Sequence, residues 1–287
     1  MTGNCLVHVQ NALRGMAIGA ADLVPGVSGG TVALLLGIYP RFIAALSHLG
    51  PQTMVDFVKE PLPVWWGKYD GAFLTAIVIG AAVSILALSS AFHWALENQP
   101  QAFYAFFLGL MLASAWHLLR VHAQRLWRWW FFFLLAVVFS LGLASVRTLG
   151  LELDPWMLFV SGMCAMAVML LPGISGSMML VILGTYQGII VALASLQVVT
   201  LLPFVAGALL GVMVFSRLIT LFFQRFQHTI MAIFSGFMLG ALPRLWPWRL
   251  DDHLVLPQPD AVGFIPWIVL AGMVCVLLPL QILGTKS

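Results

Sequence analysis

Charged residues are scarce in this chain of 287 residues and make up only 8% of it. A soluble globular domain carries roughly 25% charged residues. Hydrophobic residues make up 62% of the chain, which leaves too few polar side chains to cover the surface of a soluble fold of this size. The composition therefore excludes an ordinary soluble protein and predicts an integral membrane protein.

The sequence lacks the residues that several kinds of chemical site require. The three cysteines, Cys5, Cys164 and Cys275, are far apart and form no CxxC pair, so neither a disulfide framework nor a zinc site is indicated. The sequence has no HExxH pair, no nucleotide-binding loop and no nucleophile elbow accompanied by a histidine and an acid. The net charge of +3 is too small to suggest nucleic-acid binding. We therefore predict no metal, no cofactor and no enzyme activity.

Long apolar runs are the main feature of the sequence. A spanning helix needs about 20 apolar residues, and six stretches qualify: 72–95, 102–120, 129–148, 199–222, 229–246 and 263–283. Two further apolar stretches, 12–47 and 156–197, are each about twice as long as one span and are broken near the middle by Pro and Gly. The polar interval 48–71 is predicted to be a loop with at most a short surface helix, and Trp65 and Trp66 suit the membrane interface.

The two broken stretches share a motif. Residues 25–39 read PGVSGGTVALLLGIY and residues 172–186 read PGISGSMMLVILGTY, an offset of 147 positions. A second match, FLGLML at 107–112 with FSGFML at 234–239, has an offset of 127, and the difference of 20 fits the interval 48–71, which the second half lacks. The sequence thus predicts a duplication.

The predicted repeats each contain one broken stretch and three spans. Residues 1–150 form the first repeat, with the broken stretch 12–47 and the spans 72–95, 102–120 and 129–148. Residues 151–287 form the second, with the broken stretch 156–197 and the spans 199–222, 229–246 and 263–283. A broken stretch either crosses the membrane once with a kink or returns to its starting side as a re-entrant hairpin.

The distribution of basic residues favours the re-entrant alternative. With two re-entrant hairpins, ten basic residues lie on one side of the membrane: Arg14, Arg41, Lys59, Lys68, Arg120, Arg125, Arg128, Arg217, Arg225 and Lys286. Only Arg147, Arg244 and Arg249 lie on the other side, a split that obeys the positive-inside rule. Three crossings per repeat give the repeats opposite orientations. We therefore predict an all-α polytopic membrane protein with two inverted repeats, each a re-entrant hairpin plus three transmembrane helices, and with both termini cytoplasmic.

The broken motifs predict a binding site for an anion. Open backbone cannot face lipid, so it must be buried in protein or line a polar cavity. After each break a helix starts again, near Gly30 and near Ser177, and its first N–H groups carry the positive end of the helix dipole. The hydroxyls of Ser28 and Thr31, or of Ser175 and Ser177, add donors, and phosphate fits such a site well. The alternative is a proline kink with small residues for close helix packing.

Five charged or aromatic residues in or near the motifs each have more than one interpretation. Asp22, acidic within an apolar stretch, is a candidate proton carrier, or it pairs with Arg14, or it braces the broken backbone. Arg14 and Arg41 either hold a phosphate or anchor helix ends at the interface. Tyr39, like Tyr186 in the second copy, either binds a head group or belongs to the aromatic belt.

The stretch GMAIGAADLVPGVSGGTVALLLGIYPRFI at 15–43, together with LPGISGSMMLVILGTY at 171–186, resembles the signature of the polyprenyl-phosphate translocase family (PopT type), formerly a membrane family of unknown function. The resemblance covers nearly the whole chain. It implies binding residues at Arg14, Pro25, Gly26, Ser28, Gly29, Gly30, Thr31, Tyr39 and Arg41 in the first copy, with Asp22 as a candidate for coupling to a proton or an ion. In the second copy it implies Pro172, Gly173, Ser175, Gly176, Ser177 and Tyr186. Where the family often has an acidic residue before the arginine, this chain has Pro40, so no acidic partner local to Arg41 is expected.

The resemblance implies a flippase in the bacterial cytoplasmic membrane. Its expected substrate is undecaprenyl phosphate, returned to the inner leaflet for reuse in cell-wall and surface polysaccharide synthesis. Coupling to a proton, through Asp22, or to sodium stays open, as does a homodimer. A secondary transporter of a small soluble anion is the alternative function. A membrane phosphatase acting on the same lipid would need a nucleophile with an Arg or His cluster, or a metal site, and the sequence has neither.

Overall fold

The computed structural model describes residues 2–24, 26–123, 126–146, 154–250, 253–257 and 263–282. Within these ranges the chain is helical apart from short connections and one pair of two-residue antiparallel strands, β1 (Arg249–Leu250) and β2 (His253–Leu254). Several of the helices are apolar over lengths suited to a membrane. The predicted helical class of a membrane protein is therefore confirmed.

In the part of the first half that the structure describes, the chain forms eight helices. They are α1 (Thr2–Asp22), α2 (Gly29–Leu35), α3 (Tyr39–Ser47), α4 (Pro51–Lys59), α5 (Leu62–Lys68), α6 (Gly71–Asn98), α7 (Pro100–His122) and α8 (Trp127–Ser145). The predicted spans 72–95 and 102–120 correspond to α6 and α7, each apolar and long enough to cross a membrane. The span 129–148 corresponds to α8, as far as residue 146, since its last residues lie outside those described.

Over its described residues, the second half forms five α-helices and a short 3₁₀ turn. They are α9 (Pro155–Met169), α10 (Gly176–Leu183), α11 (Tyr186–Ala194), α12 (Val198–Ala241), the 3₁₀ turn Leu242–Leu245 and α13 (Ile265–Ile282). At 44 residues α12 covers two predicted spans, 199–222 and 229–246. A straight helix of that length would extend roughly 66 Å, about twice the hydrocarbon thickness. The helix does not run straight, because Phe226 has the non-helical angles φ −135° and ψ 42° between the two predicted spans.

The interval 48–71 is more ordered than the predicted loop. It contains two helices, α4 and α5, and the prolines at 51, 61 and 63 lie in or just before their first turns. Proline suits the first turn of a helix, where its missing N–H has no intrahelical acceptor. The prolines that suggested a loop therefore mark where two short helices begin.

The duplicated motif repeats in backbone conformation as well as in sequence. Adding 147 to the last residue of α1, Asp22, gives the last residue of α9, Met169, and the same offset relates the starts of α2 and α10. Gly26 and Gly173 have φ angles of 90° and 88°, a left-handed conformation that favours glycine. In the second copy, α10 and α11 are bent by 109° at the break between them.

Two compact units make up the fold, and each contains segments of both predicted repeats. One unit comprises Met1–Ile85, Val146–Leu171 and Ser175–Arg225, and the other comprises Leu86–Ser145, Pro172–Ile174 and Phe226–Ser287. The predicted repeat boundary at residue 150 lies outside the described residues. The broken stretches and the first span of each repeat thus belong mainly to the first unit, and the remaining spans to the second.

Glycines bring helix backbones into direct contact within the first unit. A Cβ atom on Gly80 of α6 would lie 2.0 Å from the carbonyl oxygen of Ala12 in α1. Its counterpart at offset 127, Gly207 of α12, would place a Cβ atom 1.9 Å from the carbonyl oxygen of Phe159 in α9. Small residues permit such close approach between membrane helices. The same contact is therefore made twice, once in each repeat.

In the second unit, helices from one predicted repeat pack on helices from the other. Gly109 of α7 packs on the backbone of Val269 in α13, because its Cβ atom would lie 2.0 Å from that carbonyl oxygen. Gly236 of α12 packs in the same way on Phe133 of α8, at 2.4 Å. Each repeat's second span thus packs on the third span of the other repeat, as a duplicated chain with two-fold related halves would pack.

We predict that Gly80→Ala lowers the stability of the protein, because its methyl group has no space beside the Ala12 carbonyl. The expected cost is about 1–3 kcal/mol, as for other overpacked sites. Thermal unfolding in detergent measures it. Gly142→Ala is the matched control, since no atom lies within 4 Å of a Cβ atom at this exposed position of α8. Equal midpoints for the two variants would contradict the close helix contact.

Candidate functional site

The first motif places a carboxylate at the beginning of α2. The backbone N–H of Gly29 donates a 2.7 Å hydrogen bond to Oδ1 of Asp22, which ends the preceding helix. The next N–H, of Gly30, donates to Oγ of the N-cap residue Ser28 at 3.2 Å. The first two donors of this helix, which were predicted to receive an external anion, are therefore satisfied by the chain itself. Pro25 lies outside the described residues.

Asp22 consequently has the bracing position that was one of its three interpretations. A Cβ atom at residue 29 would lie 2.6 Å from Oδ2 of Asp22, so glycine there allows the carboxylate to reach the backbone. Arg14 does not pair with this carboxylate, because it donates to Oδ1 of Asn11 at 3.1 Å, one turn toward the start of α1. Eight residues of helix, about 12 Å, separate Arg14 from Asp22.

The second motif has the same backbone but no such carboxylate. Met169 stands where Asp22 stands in the first copy. The N-cap residue of α10, Ser175, makes no side-chain hydrogen bond to the helix backbone. Its hydroxyl lies 2.7 Å from that of Ser177, and Ser177 is exposed whereas Ser175 is buried. The two half-sites, although equivalent in sequence, therefore differ in what occupies the N-terminus of their helix.

Two residues of the first copy cap the end of α9, directly before the second motif. The hydroxyl of Tyr39, which is completely buried, donates to the carbonyl oxygen of Leu170 at 2.8 Å. Oγ of Ser28 lies 3.4 Å from the carbonyl oxygens of both Met169 and Leu171. The last carbonyls of a helix have no intrahelical partner, so these side chains satisfy groups that the broken span leaves open.

The tyrosines of the two copies are not equivalent. Tyr39 is buried, and its hydroxyl braces the end of α9. Tyr186, its counterpart at offset 147, is 38% exposed.

The remaining motif residues Gly26, Gly30, Thr31, Pro172, Gly173 and Gly176 are all buried. Of these, Gly176 packs closely on α9, where its Cβ atom would lie 2.8 Å from the carbonyl oxygen of Ala165.

Arg41 has an acidic partner that the sequence analysis did not find. Its Nε and Nη2 atoms donate to the two carboxylate oxygens of Asp70, at 2.6 and 2.8 Å. The guanidinium carbon lies 4.2 Å from the centroid of the Phe73 ring, a cation–π contact. Pro40 prevents a local acid, and a carboxylate 29 residues further along takes its place. Both side chains of the pair are partly exposed.

Tyr39 also borders a small cavity of about 100 Å³. The lining residues are Tyr39, Pro40, Ile43, Ala44, Ile219, Thr220, Phe223 and Gln224. This volume would hold about three water molecules at roughly 30 Å³ each, so it is too small for a long lipid chain. Across the described residues no group of three or more His, Cys, Asp or Glu side chains could hold a metal ion.

Apolar helices interrupted at two related motifs are typical of a polytopic membrane protein of the transporter class. The comparison with known families then makes the assignment specific. This chain belongs to the VCA0040-like family, described as undecaprenyl phosphate translocase-like, which it matches over residues 18–259. The family is one of transporters and not of enzymes, as the sequence predicted.

Two relatives carry the same name. The chain is 33% identical over 249 residues to a polyprenyl-phosphate transporter of Vibrio cholerae serotype O1, a match that covers 87% of this chain and 81% of the relative. It is 32% identical over 276 residues to a polyprenyl-phosphate transporter of Staphylococcus aureus, covering 89% and 92% respectively. No solved structure shows significant similarity to the chain.

We predict that Tyr39→Phe destabilises the protein and that Tyr186→Phe does not. The first change leaves the buried carbonyl of Leu170 without its 2.8 Å donor, which costs about 1–3 kcal/mol. The second removes a hydroxyl from a partly exposed side chain at the equivalent place of the other copy. Thermal unfolding of the two purified variants compares them directly. A Tyr39→Phe protein as stable as the Tyr186→Phe protein would show that the buried hydrogen bond contributes little.

Proposed function

We propose that this protein is a flippase that returns undecaprenyl phosphate across the bacterial cytoplasmic membrane for reuse in cell-wall and surface polysaccharide synthesis. The family and the names of both relatives support a polyprenyl phosphate as substrate. The phosphate would bind at a broken motif, and the prenyl chain would stay in the surrounding lipid. The return direction follows from the resemblance of the paired motifs to the translocase family.

The observation that carries the proposed site is the difference between the two motifs. In the first, the carboxylate of Asp22 already occupies the N–H of Gly29. In the second, no carboxylate is available at Met169, and the exposed hydroxyl of Ser177 lies beside that of Ser175. A helix N-terminus with unpaired donors and hydroxyls suits a phosphate group. We infer that the substrate phosphate binds preferentially at the second motif, around Ser175, Gly176 and Ser177, and that the first motif can bind it only after Asp22 is displaced or protonated.

Arg41 is the proposed second contact for the phosphate. Its guanidinium donates two hydrogen bonds to the carboxylate of Asp70. The same two N–H groups could donate to two oxygens of a phosphate group. A phosphate that displaced Asp70 would gain a charged partner at a partly exposed position. Arg14 donates to the neutral side chain of Asn11. Its charge could therefore contribute to binding the phosphate, or it could anchor α1 at the interface.

The proposed topology is the one predicted from the sequence: two inverted repeats, re-entrant hairpins at 12–47 and 156–197, and both termini in the cytoplasm. The bend of 109° between α10 and α11 suits a chain that turns back within the membrane. Opposite orientations of the repeats would direct the two motifs toward one another from the two sides. Each could then face the substrate in one half of the transport cycle.

Inward movement of an anion is opposed by an inside-negative membrane potential, at about 2.3 kcal/mol per charge per 100 mV. A proton that travels with the phosphate would offset this cost. Asp22 is the proposed carrier, because its carboxylate is half-buried and its partner is the Gly29 N–H. Protonation would weaken that hydrogen bond and free a donor of α2 for the phosphate. Sodium is the other ion that could supply the drive.

We predict that the double variant Ser175→Ala/Ser177→Ala loses most transport of undecaprenyl phosphate and that Ser28→Ala retains more of it. The serines of the second motif would donate to the substrate, whereas Ser28 is already engaged with Gly30 and the end of α9. Purified protein is placed in liposomes that carry the lipid in one leaflet. Accessibility of the head group to a reagent outside the liposomes reports its movement.

Ser195→Ala, an exposed serine outside the motifs, is the control for loss of a hydroxyl. Equal loss in Ser28→Ala and in the double variant would contradict preferential binding at the second motif. No movement by the wild type under any ion gradient, while a known flippase works in the same liposomes, would favour the alternative of a small soluble anion. Uptake of labelled phosphate would then test that alternative.

We predict that Asp22→Asn keeps the fold but removes the pH dependence of transport. The asparagine oxygen still accepts from the Gly29 N–H, while the side chain can no longer carry a proton. The wild type should move lipid faster when the side from which the phosphate enters is made more acidic, because protonation then precedes movement. The same liposome assay over a range of external pH measures this. A variant with full transport and an unchanged pH profile would rule out the carrier.

A further inference from the structure

The helices α4 and α5 form a hairpin, residues 51–68, with a polar interior. The carboxylate of Asp56 accepts three hydrogen bonds, from Lys68 at 2.6 Å, Tyr69 at 2.6 Å and Gln52 at 2.7 Å. Trp65 donates from its indole nitrogen to the carbonyl oxygen of Thr53 at 2.9 Å. The two helices are therefore joined by buried polar groups instead of an apolar core.

The contacts of Asp56 in this interior stabilise its charged form. The Lys68 ammonium and the Tyr69 hydroxyl lower the pKa of Asp56 to about 2. An aspartate in the unfolded chain has a pKa of about 4. Because the folded pKa of Asp56 is lower, its contacts stabilise the fold fully above about pH 4. This contribution is lost as the pH falls from about 4 toward the folded pKa. Lys68 also binds Glu60 at 2.8 Å, which closes the turn between the helices.

The outer face of the hairpin is apolar, the reverse of a helix in water. In α4 the polar residues Thr53 and Asp56 are only 6% and 7% exposed, whereas Met54 and Val58 are 76% and 84% exposed. Residues 54 and 58 lie one turn apart on the same side of the helix. The exposed apolar side chains Val55, Phe57, Leu62 and Val64 extend this face. A soluble surface helix places its apolar side toward the core and its polar side outward.

The hairpin is fixed at both ends to helices of the same unit. Before it, Arg217 of α12 donates from Nε and Nη2 to the carbonyl oxygens of Ser47 and Leu49, at 3.0 and 3.1 Å. After it, the pair of Arg41 and Asp70 holds the chain directly before α6 begins at Gly71. The ring of Trp66 packs on Gly71, where a Cβ atom would lie 2.6 Å from it. The apolar face is thus tied to the start of a helix that spans the membrane.

We propose that this hairpin lies in the membrane interface, with its apolar face inserted at the boundary between head groups and acyl chains. Lipid is the occupant that the placement favours, because the hairpin leads directly into α6, whose exposed apolar side chains in the same unit include Val78 and Ile79. Within 51–68 the charges of Asp56 and Glu60 balance those of Lys59 and Lys68. Binding is consequently driven by apolar contact and needs no anionic lipid.

This proposal assigns a specific role to the segment that distinguishes the two repeats. The second repeat passes from α11 to α12 through three residues and has no such hairpin. An interfacial segment beside α3 and α6 would hold the leaflet surface at a fixed level next to Arg41, whichever substrate is transported. The inference does not depend on the proposed function, since any membrane protein with this hairpin would meet lipid in the same way.

Spin labels test the placement in the full-length protein. In a variant whose native cysteines are replaced by alanine, nitroxide labels are attached at Met54→Cys, Val58→Cys or, as the control at the exposed charged residue of α4, Lys59→Cys. All three side chains are exposed, so the labels should not disturb the packing. The protein is placed in phosphatidylcholine liposomes, with and without phosphatidylglycerol. Collisions with dissolved oxygen, which concentrates among acyl chains, are compared with collisions with a water-soluble nickel chelate.

We expect the ratio of oxygen to nickel accessibility at 54 and 58 to exceed that at 59 severalfold, with no change on adding phosphatidylglycerol or salt. Equal nickel accessibility at 58 and 59 would place the apolar face in water and overturn the proposal. Protection of 54 and 58 from both reagents would overturn it too, because protein would then cover the face. Disulfide cross-linking between copies through Val58→Cys would identify a second copy of this chain as that cover.

Discussion

The fold depends on one constraint: a backbone opened within the membrane must find partners inside the protein. This chain opens its backbone after Asp22 and again after Met169. At the first break, Asp22 and Ser28 accept from the first two N–H groups of α2. At the second, the carbonyls that end α9 receive a donor from Tyr39. The side chains of the first motif thus satisfy the first two N–H groups of α2 and the carbonyls that end α9, which explains why so many of its residues are buried.

The same constraint accounts for the distribution of glycine. Membrane helices gain no hydrophobic driving force from packing on one another, so they associate through close backbone contact. Gly80 and Gly207 provide it at equivalent places in the two repeats, and Gly109 and Gly236 provide it between the second span of one repeat and the third span of the other. Repeats that exchange partners in this way cannot fold independently. The two compact units of the structure therefore each combine segments of both repeats.

Sequence patterns predicted the elements whose cause is local. The apolar runs located α6 and α7, and the duplicated motif located the breaks together with the left-handed glycines Gly26 and Gly173. Contacts made over long separations were not predictable from one sequence. Nothing near Arg41 indicates that Asp70 is its partner, and nothing near Tyr39 indicates that its hydroxyl reaches Leu170. The hairpin of α4 and α5 was missed for another reason: its polar residues face inward, so the usual pattern of an amphipathic helix at a protein surface is inverted.

If the two motifs bind the phosphate as proposed, the replacement of Asp22 by Met169 in the second copy would give transport a direction. Two motifs with identical open helix ends would bind a phosphate with equal affinity. No difference in binding free energy would then favour movement of the phosphate from one motif to the other. With a resident carboxylate in one motif, the two positions differ by a charge. A phosphate entering the first motif must displace or neutralise that carboxylate, whereas the second motif needs no such change. A single proton at Asp22 could then alter the balance between the positions, so a chain without nucleotide-driven chemistry would still bias the movement of its substrate.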